Sequence, residues 1–136
     1  MSEKPFHLDI VTPRKVVLSA EVSSFSAPGV VGGFQVLKSH APLLSSIAVG
    51  EVKVIDQNGT ESRYATSGGF VEVRENKVVM LAETAERADE IDVKRAESAR
   101  TRAEKRISEK SPEMNLERAR VALLRAVNRI RVAQRK

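Results

Sequence analysis

The sequence changes its periodicity once, and this change limits the chain to two kinds of structure in succession. In the first 85 or so residues, short β-rich runs are separated by turn signals such as Pro28-Gly29 and Asn58-Gly59. From Ala88 to Lys110 there is neither Gly nor Pro, and small apolar residues recur at helical spacing. The pattern predicts an all-β module over residues 1–87 and an α-helical antiparallel hairpin over residues 88–136.

The β-rich module is predicted to be an antiparallel sandwich or barrel, because its strands are short, closely spaced and separated by Gly-rich turns. The clearest hairpin follows the alternating segment Glu51–Asp56, where Asn58-Gly59 opens the next strand. The predicted strands are Phe6–Val11, Lys15–Ser19, Val22–Ala27, Phe34–Leu37, Ile47–Ile55, Glu61–Thr66, Phe70–Arg74 and Lys77–Glu83.

The helical module is predicted to break between Ser108 and Pro112, with Ser111 or Asn115 capping the second helix. Alanine dominates both facing stripes, and because alanine buries little area the seam between the helices is weak. The residues of the seam are Ala96, Ala99, Ala103, Ala119, Ala122 and Ala126. We expect a hairpin that opens at modest cost, so that a ligand or partner decides its state. The alternative is a permanently closed hairpin with a solvated basic face.

Positive charge is concentrated in the helical module. Residues 1–87 hold nine Lys and Arg against ten Asp and Glu, whereas residues 88–136 hold fourteen against eight. The last nineteen residues contain no acid and seven basic side chains, namely Arg118, Arg120, Arg125, Arg129, Arg131, Arg135 and Lys136. On a helical wheel Arg118, Arg125, Arg129 and Lys136 form one stripe, and Arg120 and Arg131 lie on another side. Such a helix calls for a polyanionic partner.

Composition excludes several classes of function. Aromatic residues make up only 4% of the chain and Trp is absent, which argues against nucleic-acid binding by base stacking. The absence of Cys excludes disulfides and thiolate chemistry. No apolar run approaches the roughly 18 residues of a membrane span, and no signal-peptide pattern begins the chain. We expect a cytosolic or peripheral protein without direct membrane insertion.

Residue patterns for catalysis are absent from the sequence. No Ser/His/Asp arrangement, metal-ligand spacing or phosphate-binding loop is visible, so we expect a non-enzyme without a metal site or a required cofactor. His7 lies in a predicted strand. His40 lies in a predicted loop, where its ring could contact a partner.

Phosphate binding by arginine fits the helices better, because guanidinium groups pair with phosphate oxygens in bidentate geometry. Arg95, Arg102 and Arg106 share one face of the first helix. Asp92 and Glu86 lie near its start, where they could accept hydrogen bonds from a ribose or an adenine amine. The alternative is an ordinary solvated helix rich in Glu and Arg pairs.

Four segments resemble the epsilon subunits of bacterial F-type ATP synthases, and together they extend over both modules. They are Leu8–Pro13, Ser39–Leu43, Ser67–Val73 and Ala82–Ala96. The resemblance implies a sandwich of about ten strands and a C-terminal helical hairpin. One departure is at Lys38-Ser39, where the family commonly has Pro-Gly, and it concerns the shape of the loop near the rotor ring.

The resemblance also implies a function. Family members turn with the central rotor, couple proton flow to ATP synthesis without doing chemistry themselves, and bind the gamma subunit and the ring of c subunits. This would place the chain peripherally on the cytoplasmic face of the inner membrane. Their hairpin permits turnover when folded and blocks ATP hydrolysis when extended, with its basic helix facing acidic loops of the beta subunits. The residues expected to meet partners are His40, Arg118, Arg120 and Arg131.

Some family members bind ATP through an Ile/Leu-Asp-x-x-Arg-Ala motif, which this chain matches from Ile91 to Ala96. The resemblance implies that ATP is a regulatory ligand that stabilises the folded hairpin. The expected ATP-binding residues are Glu86, Ile91, Asp92, Arg95, Ala96, Arg125 and Arg129. An alternative is an ATP-level sensor whose nucleotide binding is its main activity.

Overall fold

A computed structural model describes residues 5–37, 42–109 and 115–134. Within these residues, nine strands are followed by a short 3-10 helix and two α-helices. The strands are β1 (Phe6–Val11), β2 (Val16–Ala27), β3 (Phe34–Val36), β4 (Leu43–Ile47), β5 (Gly50–Asp56), β6 (Glu61–Thr66), β7 (Gly69–Arg74), β8 (Lys77–Ala82) and β9 (Ala85–Arg87). The 3-10 helix is Ala88–Glu90, and the α-helices are α1 (Val93–Glu109) and α2 (Leu116–Gln134). The prediction of a sandwich followed by a helical hairpin is confirmed.

The long strand β2 joins the two layers of the sandwich. Its first part pairs antiparallel with β1, and its second part pairs with β3 on one edge and β5 on the other. The register shifts between Val22 and Ser24, where the strand changes neighbours, as expected of a bulge at a sheet corner. The hydrogen-bonded order is β4-β7-β8-β1-β2-β5-β6-β9, with β1 and β8 parallel and β3 attached to β2.

The main core lies between these layers and draws on every strand. Alternate residues of β1, namely Phe6, Leu8 and Ile10, are almost fully buried, which is the period-two pattern of a strand with one inward face. The buried ring of Phe25 and the partly buried ring of Phe34, which packs against the core, meet edge to face with centroids 6.5 Å apart. This extended apolar core gives the sandwich its own source of stability.

Three of the predicted strands differ from those observed. Lys15–Ser19 and Val22–Ala27 form one strand, β2, because Ala20 and Glu21 pair with β1 and continue the ladder without a turn. Ile47–Ile55 is not one strand either: Ile47 ends β4, which pairs with the distant β7, and β5 begins only at Gly50. The predicted Asn58-Gly59 hairpin is correct, with β5 and β6 in continuous register and Gly59 at a φ of 83°.

The two α-helices begin at side-chain caps. Asp92 accepts a hydrogen bond from the backbone N–H of Arg95 (3.1 Å), and Asn115 accepts one from that of Arg118 (3.0 Å). Ala96, Ala103, Ala119 and Ala126 are buried, and α1 packs along α2 in the expected hairpin. Ala122 is exposed, so its predicted place in the alanine seam is wrong. The direction in which α2 faces the sandwich accounts for the difference.

Candidate functional site

The hairpin lies against the sandwich through α2, beside the paired ends of β5 and β6. The last turns of α2 supply Val132 and Ala133 to a small apolar cluster with Ala65, Ala88 and Ile91. Val132 is completely buried. The cluster is separate from the main core and contains three alanines, so it buries little apolar area. Polar contacts are therefore important for holding α2 in this position.

Two ion pairs connect arginines of α2 to glutamates of the sandwich. The Nε of Arg129 donates to Glu86 in β9 at 2.7 Å, and Nη2 of Arg125 donates to Glu83 at 3.4 Å. These four side chains are one-third to two-thirds exposed, so solvent screens the attraction between them. The pairs bring the basic stripe of α2 onto the edge of the sandwich.

A small cleft opens between the two arginines and the strand ends. Its walls carry side-chain hydroxyl, amide and guanidinium groups, and Ser67 and Thr84 share a hydrogen bond of 2.6 Å within it. The lining residues are Ala65, Thr66, Ser67, Thr84, Arg125, Asn128 and Arg129. Hydrogen-bond donors with adjacent guanidinium groups are the chemistry that binds an anion such as phosphate.

The nucleotide motif occupies the start of α1, and its residues have different surroundings. Ile91 is buried in the apolar cluster, and Ala96 is buried on the inner side of α1. The carboxylate of Asp92 caps the helix, and the side chain of Arg95 is exposed. The structure thus brings Glu86 into direct contact with Arg129, places Ile91 below the same part of α2, and leaves Asp92 and Arg95 on the surface.

The residues expected to meet partner proteins lie on the outside of the hairpin. Arg118, Arg120 and Arg131 are all exposed on α2. The predicted partner residue His40 lies outside the described residues, as do Arg135 and Lys136 at the end of the basic stripe. The exposed arginines form a surface that is separate from the two arginines paired with the sandwich.

Sequence reasoning missed two of the residues that hold α2. Asn128 is 4% exposed, and its Nδ2 donates to the carbonyl oxygens of Gly50 (2.8 Å) and Thr66 (3.4 Å). Glu83 was included only as the end of a strand. An asparagine between Val127 and Ile130, on the apolar side of a helix, is the signal that could have identified Asn128.

A second polar cluster, also missed, lies on β1 and β2. The ring of His7 contacts Glu21 at 2.7 Å through Nδ1 and Asp9 at 3.0 Å through Nε2. The hydrogen bonds to Glu21 and then to Asp9 raise the pKa of His7 above its ordinary value. The pKa of Asp9 is lowered, chiefly by a hydrogen bond from the Ser19 hydroxyl.

The described part of the chain offers neither a metal-binding cluster nor a membrane-spanning helix. Residues 5–37, 42–109 and 115–134 contain no group of three or more His, Asp or Glu side chains that could hold a metal ion. Neither α1 nor α2 is both long and apolar enough to span a membrane. What the described geometry can do is hold a basic helix against a sandwich and accept an anion where the two meet.

The fold and this contact surface define a two-part protein, in which a β-sandwich holds a basic helical hairpin against its side. Residues 5–88 match the family described as ATP synthase, Delta/Epsilon chain, beta-sandwich domain. Residues 89–134 match ATP synthase, Delta/Epsilon chain, long alpha-helix domain. The chain belongs to this family of ATP synthase delta/epsilon chains, and the resemblance noted in the sequence is confirmed.

Bacterial relatives match over nearly the whole chain. The ATP synthase epsilon chain of Desulforamulus reducens is 48% identical over 131 residues, which cover 96% of this chain and 98% of the relative. The ATP synthase epsilon chain of Syntrophomonas wolfei is 43% identical over 135 residues, with 99% and 98% covered.

Solved structures show the same fold at lower identity. A chain of the Euglena gracilis mitochondrial ATP synthase superposes with a TM-score of 0.78 at 21% identity, covering 91% of this chain and 78% of that chain. One from the central stalk and c-ring of the Tetrahymena thermophila mitochondrial ATP synthase has a TM-score of 0.59 at 13% identity, covering 99% and 98%. At these identities the likeness concerns the fold.

Proposed function

We propose that this chain is the central-stalk rotor subunit of a proton-translocating F-type ATP synthase, and that it couples rotation of the c-ring to ATP synthesis in the catalytic head. Family membership over both modules supports the proposal. The names of the bacterial relatives, and the central-stalk and c-ring setting of the Tetrahymena structure, also support it. In this role the chain is a non-catalytic subunit, and catalysis belongs to other subunits.

The proposal of a regulatory role rests on how few contacts hold the hairpin against the sandwich. A small apolar cluster, two partly exposed ion pairs and one buried amide connect α2 to the sandwich. A helix held by so few contacts can be released when a partner competes for it. We propose that the released hairpin extends and inhibits ATP hydrolysis, with Arg118, Arg120 and Arg131 facing acidic loops of the beta subunits.

The sandwich is proposed to bind the gamma subunit and the c-ring, which places the chain peripherally on the cytoplasmic face of the inner membrane. Exposed apolar side chains on the outer surface of the sandwich support a protein-binding role. Phe70 and Leu81 are cross-strand neighbours on β7 and β8, and each is 55% exposed. Leu44 on the adjoining strand β4 is 72% exposed. Apolar side chains grouped in this way are typical of an interface.

The rotor proposal is tested by assembling the ATP synthase with the full chain or with a chain ending at Arg87. Because the main core lies within the sandwich, we expect the shortened chain to join the complex and to support ATP synthesis. ATP hydrolysis by that complex should be faster than with the full chain. If the shortened chain fails to assemble, the division of roles between the modules is wrong; if hydrolysis is unchanged, the inhibitory role is wrong.

ATP is proposed as a regulatory ligand of the folded hairpin rather than as a required cofactor. The observation that favours it is the cleft beside Arg125 and Arg129, where their guanidinium groups adjoin hydroxyl donors. Phosphate oxygens would replace the carboxylates of Glu83 and Glu86 as acceptors, and the start of α1 would complete the site. The proposed site residues remain Glu86, Ile91, Asp92, Arg95, Ala96, Arg125 and Arg129. The same observation supports the second candidate function, a sensor of ATP level.

Calorimetric titration of the full chain with Mg-free ATP tests this ligand. We expect heat of binding for the unaltered chain and its loss when Arg125→Ala and Arg129→Ala are combined. Arg120→Ala combined with Arg131→Ala is the matched control, since it removes two exposed charges from the same helix. No heat at millimolar ATP would remove ATP binding and the sensor alternative, and would leave the rotor role intact. Equal loss in both double variants would indicate non-specific attraction to charge.

A further inference from the structure

Asn128 is the one polar side chain of α2 that is buried in the described residues of that helix. A buried amide without hydrogen bonds would strongly disfavour the docked position of the helix. Its Nδ2 has two acceptors, the backbone carbonyls of Gly50 and Thr66. Burial and hydrogen bonding together make this contact specific to one position of α2.

The two acceptors come from different strands but form a single site. Gly50 and Thr66 face each other as paired residues at the ends of β5 and β6. One amide group therefore contacts both strands at once, where their ladder ends. If α2 rotated by one residue, Val127 or Arg129 would face these carbonyls. Val127 offers no donor, and Arg129 would bring a charge into a buried position.

The other contacts between α2 and the sandwich determine the rotation of the helix less strictly than Asn128 does. The Arg125–Glu83 and Arg129–Glu86 pairs lie on the partly exposed side of α2, where salt screens them and long side chains can adjust to a shift of the helix. The apolar cluster near Val132 includes three alanines, which tolerate small displacements. Neither contact fixes the rotation of α2 as closely as a two-acceptor amide does.

We propose that Asn128 is the latch of the closed hairpin: its side-chain amide, bound to the carbonyls of Gly50 and Thr66, determines the docked position of α2 and its population. The latch is a positioning residue and has no charge, so its effect persists at high salt. It extends the proposed function, since the regulatory consequence depends on the hairpin being a switch. The latch itself can be measured in the isolated chain.

The direct experiment measures the closed fraction of the full chain by the distance between two spin labels. The chain has no cysteine, so Gln57→Cys in the β5–β6 turn and Leu124→Cys on α2, both exposed positions, give one labelled pair. Asn128→Asp keeps the side-chain shape but replaces the donor with oxygen, and Asn128→Ala removes the amide. Gln134→Ala is the matched control, because it removes an exposed amide from the same helix.

We expect the ratio of closed to open chains to fall about tenfold in N128A and further in N128D, in which a carboxylate would face two carbonyl oxygens. The control should keep the ratio of the unaltered chain, and the effect should remain in high salt. Circular dichroism checks that the sandwich stays folded. The latch is overturned if N128A and N128D keep the closed distance, or if Gln134→Ala opens the hairpin equally.

The effect of the latch on the assembled enzyme is measured in a separate assay of ATP hydrolysis. We expect N128D to lower the rate of ATP hydrolysis relative to the unaltered chain, because more hairpins are free to extend. A variant that opens in the isolated chain without affecting hydrolysis would contradict the proposed regulatory function and leave the latch standing. A variant that keeps the closed distance would overturn the latch and leave the rotor role standing.

Discussion

Neighbouring residues of α2 have opposite surroundings, and this contrast determines how the helix is held. Asn128 is buried and donates to two carbonyls, whereas Arg129 is one-third exposed and pairs with the partly exposed Glu86. The sequence identified Arg129 because arginine spacing is visible along a helix. It did not identify Asn128, because the acceptors lie 78 and 62 residues away and no local pattern connects them.

His7 provides a pH-dependent contribution to stability. Protonated His7 donates to Glu21 and Asp9 at once, and its pKa is raised above the ordinary 6.5. The stabilisation is complete below the unfolded pKa and is lost as pH rises through the raised, folded pKa. We expect His7→Gln to lower the melting temperature more at about pH 5.5 than at about pH 8.5.

A nuclear magnetic resonance titration checks the same contact directly. The imidazole signal that disappears in His7→Gln should titrate above pH 6.5. The carboxylate of Asp9, whose pKa is lowered, stays charged across this range and so remains a partner. A loss of melting temperature that does not vary with pH would show that His7 acts by packing alone.

Gly69 lies at a position that no other residue can occupy without movement of the backbone. Its φ is 146°, and a Cβ atom there would overlap the carbonyl oxygen of Leu81 and lie 2.9 Å from the Cα of Ala82. We expect Gly69→Ala to reduce the free energy of unfolding by about 3 kcal/mol. Gly59→Ala is the control, because Gly59 also has a positive φ but no atom of the described residues lies within 4 Å of the added Cβ, so it should cost about 1 kcal/mol. Equal losses in urea titrations would contradict the clash.

At the scale of elements, local sequence patterns predicted those features that are determined by residues close together in the chain. The Asn58-Gly59 hairpin, the strand Phe6–Val11 and Asn115 as one of two candidate caps were predicted for this reason. The separate strand β4 was not, because its alternation depends on pairing with β7, more than twenty residues away. Strand β9 was missed because three residues beside a helix start have no periodicity of their own.

The alanine seam shows the same limit. Ala119 and Ala126 were placed correctly, but Ala122 was assigned to the seam by spacing and is exposed. Its position depends on how α2 divides its surface between α1 and the sandwich, which a wheel of one helix does not show. For the predicted ATP-site residues, the sequence motif likewise gave the position of a residue but not its contacts. The motif identified Asp92, and the structure adds that its carboxylate caps α1.

The seam leads to a prediction for the hairpin. Ala126 is 1% exposed between the helices, so Ala126→Leu should force them apart and destabilise the hairpin by about 1–3 kcal/mol. Hydrogen exchange of the α1 and α2 amides should become faster, while exchange in the sandwich stays the same. Ala122→Leu makes the same chemical change at an exposed position and should have little effect. Similar exchange in the two variants would mean that Ala126 is not in a tightly packed seam.

At the scale of the whole molecule, charge and apolar area are distributed differently between the modules. The sandwich has the main core, whereas the helical module has all of the excess positive charge and contributes to the sandwich contact only a small apolar cluster besides its polar groups. Glu83 and Glu86 form ion pairs with Arg125 and Arg129 of α2, and these pairs connect the two modules electrostatically. Raising the ionic strength weakens these pairs and leaves the sandwich core unaffected.

This distribution predicts that the hairpin separates and melts before the sandwich. The chain has one Tyr and no Trp, and Tyr64 is 3% exposed in the main core, so tyrosine fluorescence reports mainly on the sandwich. Circular dichroism at about 222 nm reports mainly on the two helices. We expect the helical signal to be lost at a lower temperature than the Tyr64 signal, with a gap that widens as salt is added.

The chain ending at Arg87 is the control for this measurement. It lacks both α-helices, so its Tyr64 transition should remain near that of the full chain, because the main core lies within the sandwich and α2 adds to it only the small cluster, the Asn128 amide and two partly exposed ion pairs. Coincident transitions of the full chain by both signals would instead indicate one cooperative unit. In that case the hairpin could not be released without unfolding the sandwich, and a switch based on hairpin opening would be contradicted.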